Sequence, residues 1–138
     1  MDNIAATSRM ARLYIATGFL YFVIGTVLLA LSFSNLVAIA RDPIFILLLY
    51  GFVTQLIFGV SYIFVPGVSR HSGPNYKAII AEYVFLNVGI IAFEGVALAG
   101  QKNIVAVLGG LTVLIIAVLL HAINVWRTMV GRKAKSTL

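Results

Sequence analysis

The sequence predicts an all-α membrane protein with four transmembrane helices in an up-and-down bundle. Hydrophobic residues make up 62% of the 138 residues, charged residues make up 10%, and the apolar residues fall into four long runs. A soluble domain carries about 25% charged residues, so this chain has too few polar residues to cover a water-exposed fold. We expect one domain over residues 1–138. Its helices are expected at about 11–34, 43–66, 75–100 and 104–127, followed by a basic cytoplasmic tail at 128–138.

The second apolar run sets the length scale of the bundle. The 22 residues at 44–65, between Pro43 and Pro66, carry no charged side chain. At about 1.5 Å per residue they form a helix of about 33 Å, enough to cross a hydrocarbon core of about 30 Å. Asp42 is expected to cap the first turn, with Pro43 at the first helical position, and Pro66 is expected to end the helix.

The first apolar run begins at Leu13, after a polar lead. Small residues recur every seven positions within it, at Gly18, Gly25 and Ser32, and this stripe predicts close approach of another helix. A secretory signal is the alternative, because Ala38-Ile39-Ala40 resembles a cleavage site. The length of the run and the spans that follow favour an uncleaved helix.

The third and fourth helices have recognisable start signals. The third is expected to begin near Pro74 or Asn75, and Asn103 is expected to cap the fourth. Asn103 has a side-chain oxygen that can accept from the free amides of a first helical turn.

The basic residues predict the orientation. Eight of the ten lie in the amino-terminal lead, in the loop between the second and third helices, or in the tail; only Arg41 and Lys102 lie on the other side. The positive-inside rule therefore predicts a multi-pass protein of the cell membrane with both termini in the cytoplasm. Tyr14 and Trp126 are then expected near the inner interface.

Three polar residues are expected at similar depth near the cytoplasmic face. An ionisable residue in a span costs about 2.5–3.5 kcal/mol on insertion scales, so Glu82 needs a partner. The third helix runs outward and the fourth returns, which places His121 near the depth of Glu82 and Asn124 one turn closer to the interface. Glu82 is thus expected to accept a hydrogen bond from His121 or Asn124. The group is interpreted as a structural pair, as a proton-relay or quinone-headgroup site, or as side chains that reach the interface.

A second polar group is expected deeper in the bilayer. Asn87 and Glu94 are seven residues apart and share a helix face, and Gln55 is expected to meet Asn87 at the bilayer centre. Such a seam favours interhelical contact over catalysis. Glu94 facing a larger partner subunit, or a small oligomeric transporter using the seam, are the alternatives.

Several functional classes are excluded by composition. The chain has no cysteine, and its net charge of +6 comes from residues at helix ends, which does not indicate nucleic-acid binding. No phosphate-binding glycine loop, zinc histidine pair or serine elbow is present. Two histidines, His71 and His121, are both expected near the cytoplasmic side, so b-haem ligation stays open as an alternative.

Short helix motifs carry a resemblance. They are Gly51-Phe52-Val53 and Ile57-Phe58-Gly59-Val60 with Tyr62 and Pro66 in the second helix, Asn87-Val88-Gly89 in the third, and Asn124-Val125-Trp126-Arg127-Thr128 in the fourth. Together they resemble the subunit I superfamily of haem–copper oxidases, especially its cbb3-type and nitric-oxide-reductase branches. In that family a histidine shortly before the first motif ligates the low-spin haem, whereas residues 43–50 contain no histidine here. The resemblance therefore implies an oxidase-type four-helix module without its metal sites.

The sequence as a whole predicts a non-catalytic accessory subunit of a respiratory or membrane-oxidase complex, with other membrane subunits and the lipid bilayer as partners and no cofactor of its own. The alternatives are a redox protein that binds b-haem or quinone at His121 and Glu82, and the small transporter. The basic residues of the fourth helix end and the tail are expected to lie on anionic lipid. They are Arg127, Arg132, Lys133 and Lys135.

Overall fold

A computed structural model of the chain describes residues 2–34, 36, 41–68, 73–98 and 103–130. Several residues named above lie outside these ranges. They are the possible cleavage site at Ala38-Ile39-Ala40, the loop histidine His71, the basic Lys102, and Arg132, Lys133 and Lys135 of the tail.

All regular structure in the described residues is helical. The elements are α1 (Asp2–Phe33), α2 (Arg41–Ile46), a π-helical segment (Leu47–Thr54), α3 (Gln55–Val68), α4 (Tyr76–Leu98) and α5 (Ile104–Val130). Four stretches are long and apolar enough to cross a membrane: Ala5–Phe33, Arg41–Pro66, Tyr76–Val96 and Ile104–Val130. We call them the first to fourth spans. The predicted all-α, four-helix fold is confirmed, and the chain is a multi-pass integral membrane protein whose apolar helices contact lipid.

Consecutive spans run antiparallel. In the first two, Gly18 lies beside Gln55 and Gly25 beside Leu48. In the last two, the backbone amide of Asn75 at the start of α4 donates to Asn124 near the end of α5. One end of the bundle therefore holds the starts of α1 and α4 and the ends of α3 and α5. We call it the amino-terminal end; which side of the membrane it faces stays a prediction.

The first span starts earlier than expected. Helix α1 begins at Asp2, whereas the sequence predicted a polar lead and a helix from about residue 11. Alanine is the strongest helix former and is frequent in this lead. Thr7 and Met10 are also buried within the bundle, so tertiary packing stabilises a segment that hydropathy alone marks as polar.

The ends of the second span also differ from expectation. Asp42 lies inside the first turn of α2, which begins at Arg41. Pro66 lies inside α3, and the helix continues to Val68. A proline within a helix removes one hydrogen bond by lacking an N–H, and because only two residues follow before the end, little helix is lost. At the end of the fourth span, α5 likewise continues to Val130, past the expected boundary.

The second span is not a uniform α-helix. Residues Leu47–Thr54 form a π-helix, and the hydroxyl of Thr54 donates to the carbonyl of Leu49, five residues earlier, at 3.2 Å. At Gly51, an added Cβ would lie 2.7 Å from Cγ of Tyr21. The missing side chain at this point makes room for the Tyr21 ring from the first span.

The predicted small-residue stripe on α1 faces the second span. A Cβ added to Gly18 would lie 3.1 Å from the Cβ of Gln55, and one added to Gly25 would lie 2.6 Å from a Leu48 methyl carbon. Ser32, the third member of the stripe, is buried. The stripe therefore lets the two backbones approach closely, as expected for small residues at membrane helix contacts.

The starts of the last two spans agree with the sequence prediction. The side-chain oxygen of Asn75 accepts from the amide of Lys77 at 3.0 Å, and that of Asn103 accepts from the amide of Val105 at 3.1 Å. Both asparagines therefore cap their helices.

One expected interface residue lies in the core instead. Tyr14 is 0% exposed, and its hydroxyl donates to the carbonyl of Ile79 at 3.2 Å. The phenol finds a polar partner inside the bundle, so it has no need of the headgroup region. Trp126, in contrast, is 66% exposed at the amino-terminal end of the bundle.

Candidate functional site

Three donors converge on the carboxylate of Glu82, a fully buried residue of α4. The hydroxyl of Tyr62 donates to Oε2, and Nδ2 of Asn124 donates to Oε1 at 3.1 Å. Nδ1 of His121 lies 3.2 Å from Oε2. The partners come from α3 and α5, so a single carboxylate connects the second, third and fourth spans.

The imidazole of His121 is engaged on both nitrogens and on one ring face. Its Nε2 lies 3.0 Å from the hydroxyl of Ser61. Its ring stacks on that of Phe58, with centroids 3.7 Å apart and an interplanar angle of 7°, and Tyr62 packs edge-on at 5.0 Å. The Ser61 hydroxyl carries one proton and also donates to the carbonyl of Phe58 at 2.8 Å, so Nε2 either shares that proton or donates to Oγ of Ser61, while Nδ1 faces Glu82. The ring orientation is thereby fixed.

Asn124 connects this cluster to the amino-terminal end of the bundle. Its Nδ2 also donates to the Tyr62 hydroxyl at 3.0 Å, and its Oδ1 accepts from the backbone amide of Asn75 at 3.1 Å. Its carbonyl accepts from the hydroxyl of Thr128 at 2.8 Å. On the side that faces away from Glu82, Asn124 borders a cavity of about 230 Å³ that is also lined by Asn75 and Arg127. We call the linked side chains Ser61, Tyr62, Glu82, His121 and Asn124 the Glu82 cluster.

A second, smaller group forms around Asn87. Its Oδ1 accepts from Nε2 of Gln55 and from the hydroxyl of Tyr21, each at 3.0 Å, and its Nδ2 donates to the carbonyl of Tyr83 at 2.8 Å. The hydroxyl of Tyr83 is 2.7 Å from that of Thr17. This group connects the first three spans, and the expected contact between Gln55 and Asn87 is present.

Glu94 does not extend this group into a seam. It is 5% exposed, and neither carboxylate oxygen has a hydrogen-bond partner among the described residues. Asn87 directs its side-chain groups to Gln55, Tyr21 and Tyr83. Glu94 lies about two helical turns further along α4. Gln55 and Asn87 are therefore in contact while Glu94 is not, because a shared helix face does not place two side chains in contact over seven residues; the role of Glu94 stays a prediction.

Sequence reasoning missed the hydroxyl and aromatic members of both groups. Ser61, Tyr62 and Tyr21 lie in apolar runs, and no polar contact was predicted for any of them. A buried tyrosine hydroxyl normally finds a hydrogen-bond partner, so Tyr62 in the second span was the signal available for the Glu82 cluster. Nothing in the sequence marked Phe58 as the residue that stacks on His121.

No protein-family model, curated protein or solved structure matches this chain. The arrangement of the residues is therefore the basis for inferring function.

The residues around His121 do not fit an axial haem ligand. Ligation uses a free ring nitrogen, whereas Nδ1 faces Glu82 and Nε2 faces Ser61. The stacked Phe58 ring also occupies one side of the imidazole. Among the described residues, no group of three or more histidine and carboxylate side chains is placed to hold a metal ion.

Chemically, the Glu82 cluster is a hydrogen-bonded network that is closed within the chain. Its members can exchange protons with one another along the path from Ser61 through His121 and Glu82 to Tyr62. Their polar atoms are directed at each other and at the backbone, however, and this arrangement suits the stabilisation of helix contacts. Arg127 is exposed at the rim of the cavity, close to Trp126.

Proposed function

We propose that the chain is a non-catalytic subunit of a larger membrane complex of the respiratory or membrane-oxidase type. The observation that carries the proposal is the closure of the Glu82 cluster. The polar side chains of this cluster connect three spans and hydrogen-bond to one another, so among the described residues the cluster leaves no group directed at a substrate. The resemblance to haem–copper oxidase helices supplies the type of complex.

Two exposed glycines support a role in assembly. Gly95 on α4 and Gly109 on α5 have no atom within 4 Å of an added Cβ. They lie at similar depth, because the neighbouring Gly110 packs against the backbone of Phe93. Small residues on a membrane-exposed face let another helix approach closely. Each glycine is therefore a candidate contact point for a partner helix.

Mild detergent extraction of the tagged chain from its native membranes tests the proposal. We expect other integral membrane proteins to co-purify with it in fixed ratio. The Gly95→Leu and Gly109→Leu variants are expected to reduce that yield, because leucine blocks the approach of a partner helix. Ala122→Leu is the matched control, because it places the same leucine side chain at another exposed position of α5.

Recovery of the wild-type chain only as a free monomer would contradict the proposal. Turnover of any substrate by the isolated chain would contradict it as well. If the glycine variants and Ala122→Leu reduced co-purification equally, the assembly surface would lie elsewhere while the accessory role remained.

A further inference from the structure

The cavity beside Asn124 is lined by apolar residues on one part of its surface and by polar residues on another. It lies at the amino-terminal end of the bundle, where α4 begins and α5 ends, and measures about 230 Å³. Ala78, Leu120 and Ile123 supply apolar surface. Asn75, Arg127 and Thr128 supply polar groups toward the end of the bundle. This division matches an amphiphile with a polar head and an apolar chain better than it matches a soluble ion.

Among the described residues that line the cavity, Arg127 is the charged one. Arg127 is exposed and forms no ion pair with any carboxylate that the structure describes. At this end of the bundle the only carboxylate among the described side chains is Glu82, which is buried and already receives three donors. Arginine in turn has the planar fork of donors that matches phosphate oxygens.

The depth of the cavity also suits a lipid headgroup. Trp126, next to Arg127, is exposed at the same end, and tryptophan concentrates at the level of the headgroups. On α5, Ile123 lies deeper than Arg127 and Leu120 lies deeper still, which places apolar surface where an acyl chain would leave the headgroup.

We propose that this cavity binds one anionic phospholipid, with its phosphate on Arg127 and its first acyl segment along Leu120 and Ile123. The bound headgroup would cover Asn124, which holds both Glu82 and the start of α4. The lipid therefore completes the packing at the outer side of the Glu82 cluster. The proposal does not depend on the accessory role, because it concerns the isolated chain.

Native mass spectrometry of the full chain in mild detergent tests the site directly. Phosphatidylglycerol and phosphatidylcholine are titrated separately, and we expect one phosphatidylglycerol to stay bound under conditions that remove phosphatidylcholine. Arg127→Gln is expected to weaken this binding about fivefold, the loss associated with one basic residue near a lipid surface. Arg9→Gln is the matched control, because Arg9 is exposed on α1 at the same end but does not line the cavity.

A second variant tests the cavity without changing the charge. Ala78→Leu fills part of the space, so it is expected to abolish the tightly bound lipid while thermal unfolding shows that the chain remains folded. If Arg127→Gln and Arg9→Gln weakened the binding of phosphatidylglycerol equally, the proposal would be overturned in favour of diffuse attraction between basic residues and anionic lipid. Competition by soluble glycerol phosphate would instead assign the cavity to free phosphate compounds. Displacement of the lipid by a quinone at equal concentration would assign it to a quinone.

Discussion

The imidazole of His121 lies parallel to the phenyl ring of Phe58, with the ring centroids 3.7 Å apart. This pair joins the second and fourth spans face to face, while the two imidazole nitrogens reach Ser61 and Glu82. A histidine that is held on three sides serves as a fixed connector between helices. Its role differs from that of a ligand with a free nitrogen.

Absorption spectroscopy tests this interpretation of His121. The chain purified from haem-supplied cells is expected to show no Soret band, because neither imidazole nitrogen is free to bind iron. His121→Ala is expected to leave the spectrum unchanged. A Soret band in the wild-type protein that disappears in the variant would establish haem ligation and would also remove the basis of the proposed accessory role.

Loss of the Glu82 carboxylate is expected to destabilise the bundle. Glu82→Ala leaves the donors on Tyr62, His121 and Asn124 without their acceptor, and an unsatisfied buried polar group costs about 1–3 kcal/mol. Glu82→Gln retains one carbonyl oxygen and is expected to cost less. Thermal unfolding in detergent measures both, with Asp42→Asn as the control because Asp42 is exposed. An unfolding midpoint of Glu82→Ala equal to that of wild type would show that the cluster is not structural.

The contact between Gln55 and Asn87 can be measured by a double-mutant cycle. Gln55→Leu, Asn87→Leu and the double variant are compared by equilibrium unfolding in detergent or bicelles. We expect a coupling energy of about 0.6 kcal/mol and at most about 1.7 kcal/mol, the range for interhelical hydrogen bonds in membranes. Additive effects, with no coupling, would mean that the 3.0 Å contact contributes nothing to stability.

Two adjacent glycines of α5 are expected to respond oppositely to the same substitution. A Cβ at Gly110 would lie 2.9 Å from the backbone nitrogen of Phe93, whereas one at Gly109 would meet no atom within 4 Å. Gly110→Ala must separate α4 from α5 and is expected to cost about 1–3 kcal/mol, as overpacking does. Gly109→Ala is expected to be neutral or slightly stabilising in the isolated chain, because alanine favours helix. Similar unfolding midpoints for the two variants would contradict the close packing at Gly110.

Long apolar runs made the fold predictable. The number of spans, the Asn103 cap and the Gly18 stripe follow from local properties of the sequence, namely hydropathy, side-chain hydrogen bonding and residue size. The partners of Glu82 were also within reach, because antiparallel neighbours place His121 and Asn124 at a depth that can be calculated from the helical rise.

Rotation about the helix axes could not be predicted in the same way. Whether Tyr14 faces lipid or the core depends on how α1 is turned, and a helix that is apolar all round gives no signal for this. The same uncertainty explains why Glu94 was assigned to the Asn87 group. The π-helical segment adds to it, because it changes the rotation of everything that follows in the second span.

The wider turns between Leu47 and Thr54 give the second span two different periodicities. Its buried positions are four residues apart from Leu47 through Gly51 to Gln55, and then three or four apart through Phe58 to Tyr62. The chain has no cysteine, so single cysteines placed at each position would report thiol labelling against no background. Along this stretch, the spacing between positions protected from labelling is expected to change near Gln55. If the protected positions instead repeated every 3.6 residues along the whole span, the span would be an ordinary α-helix.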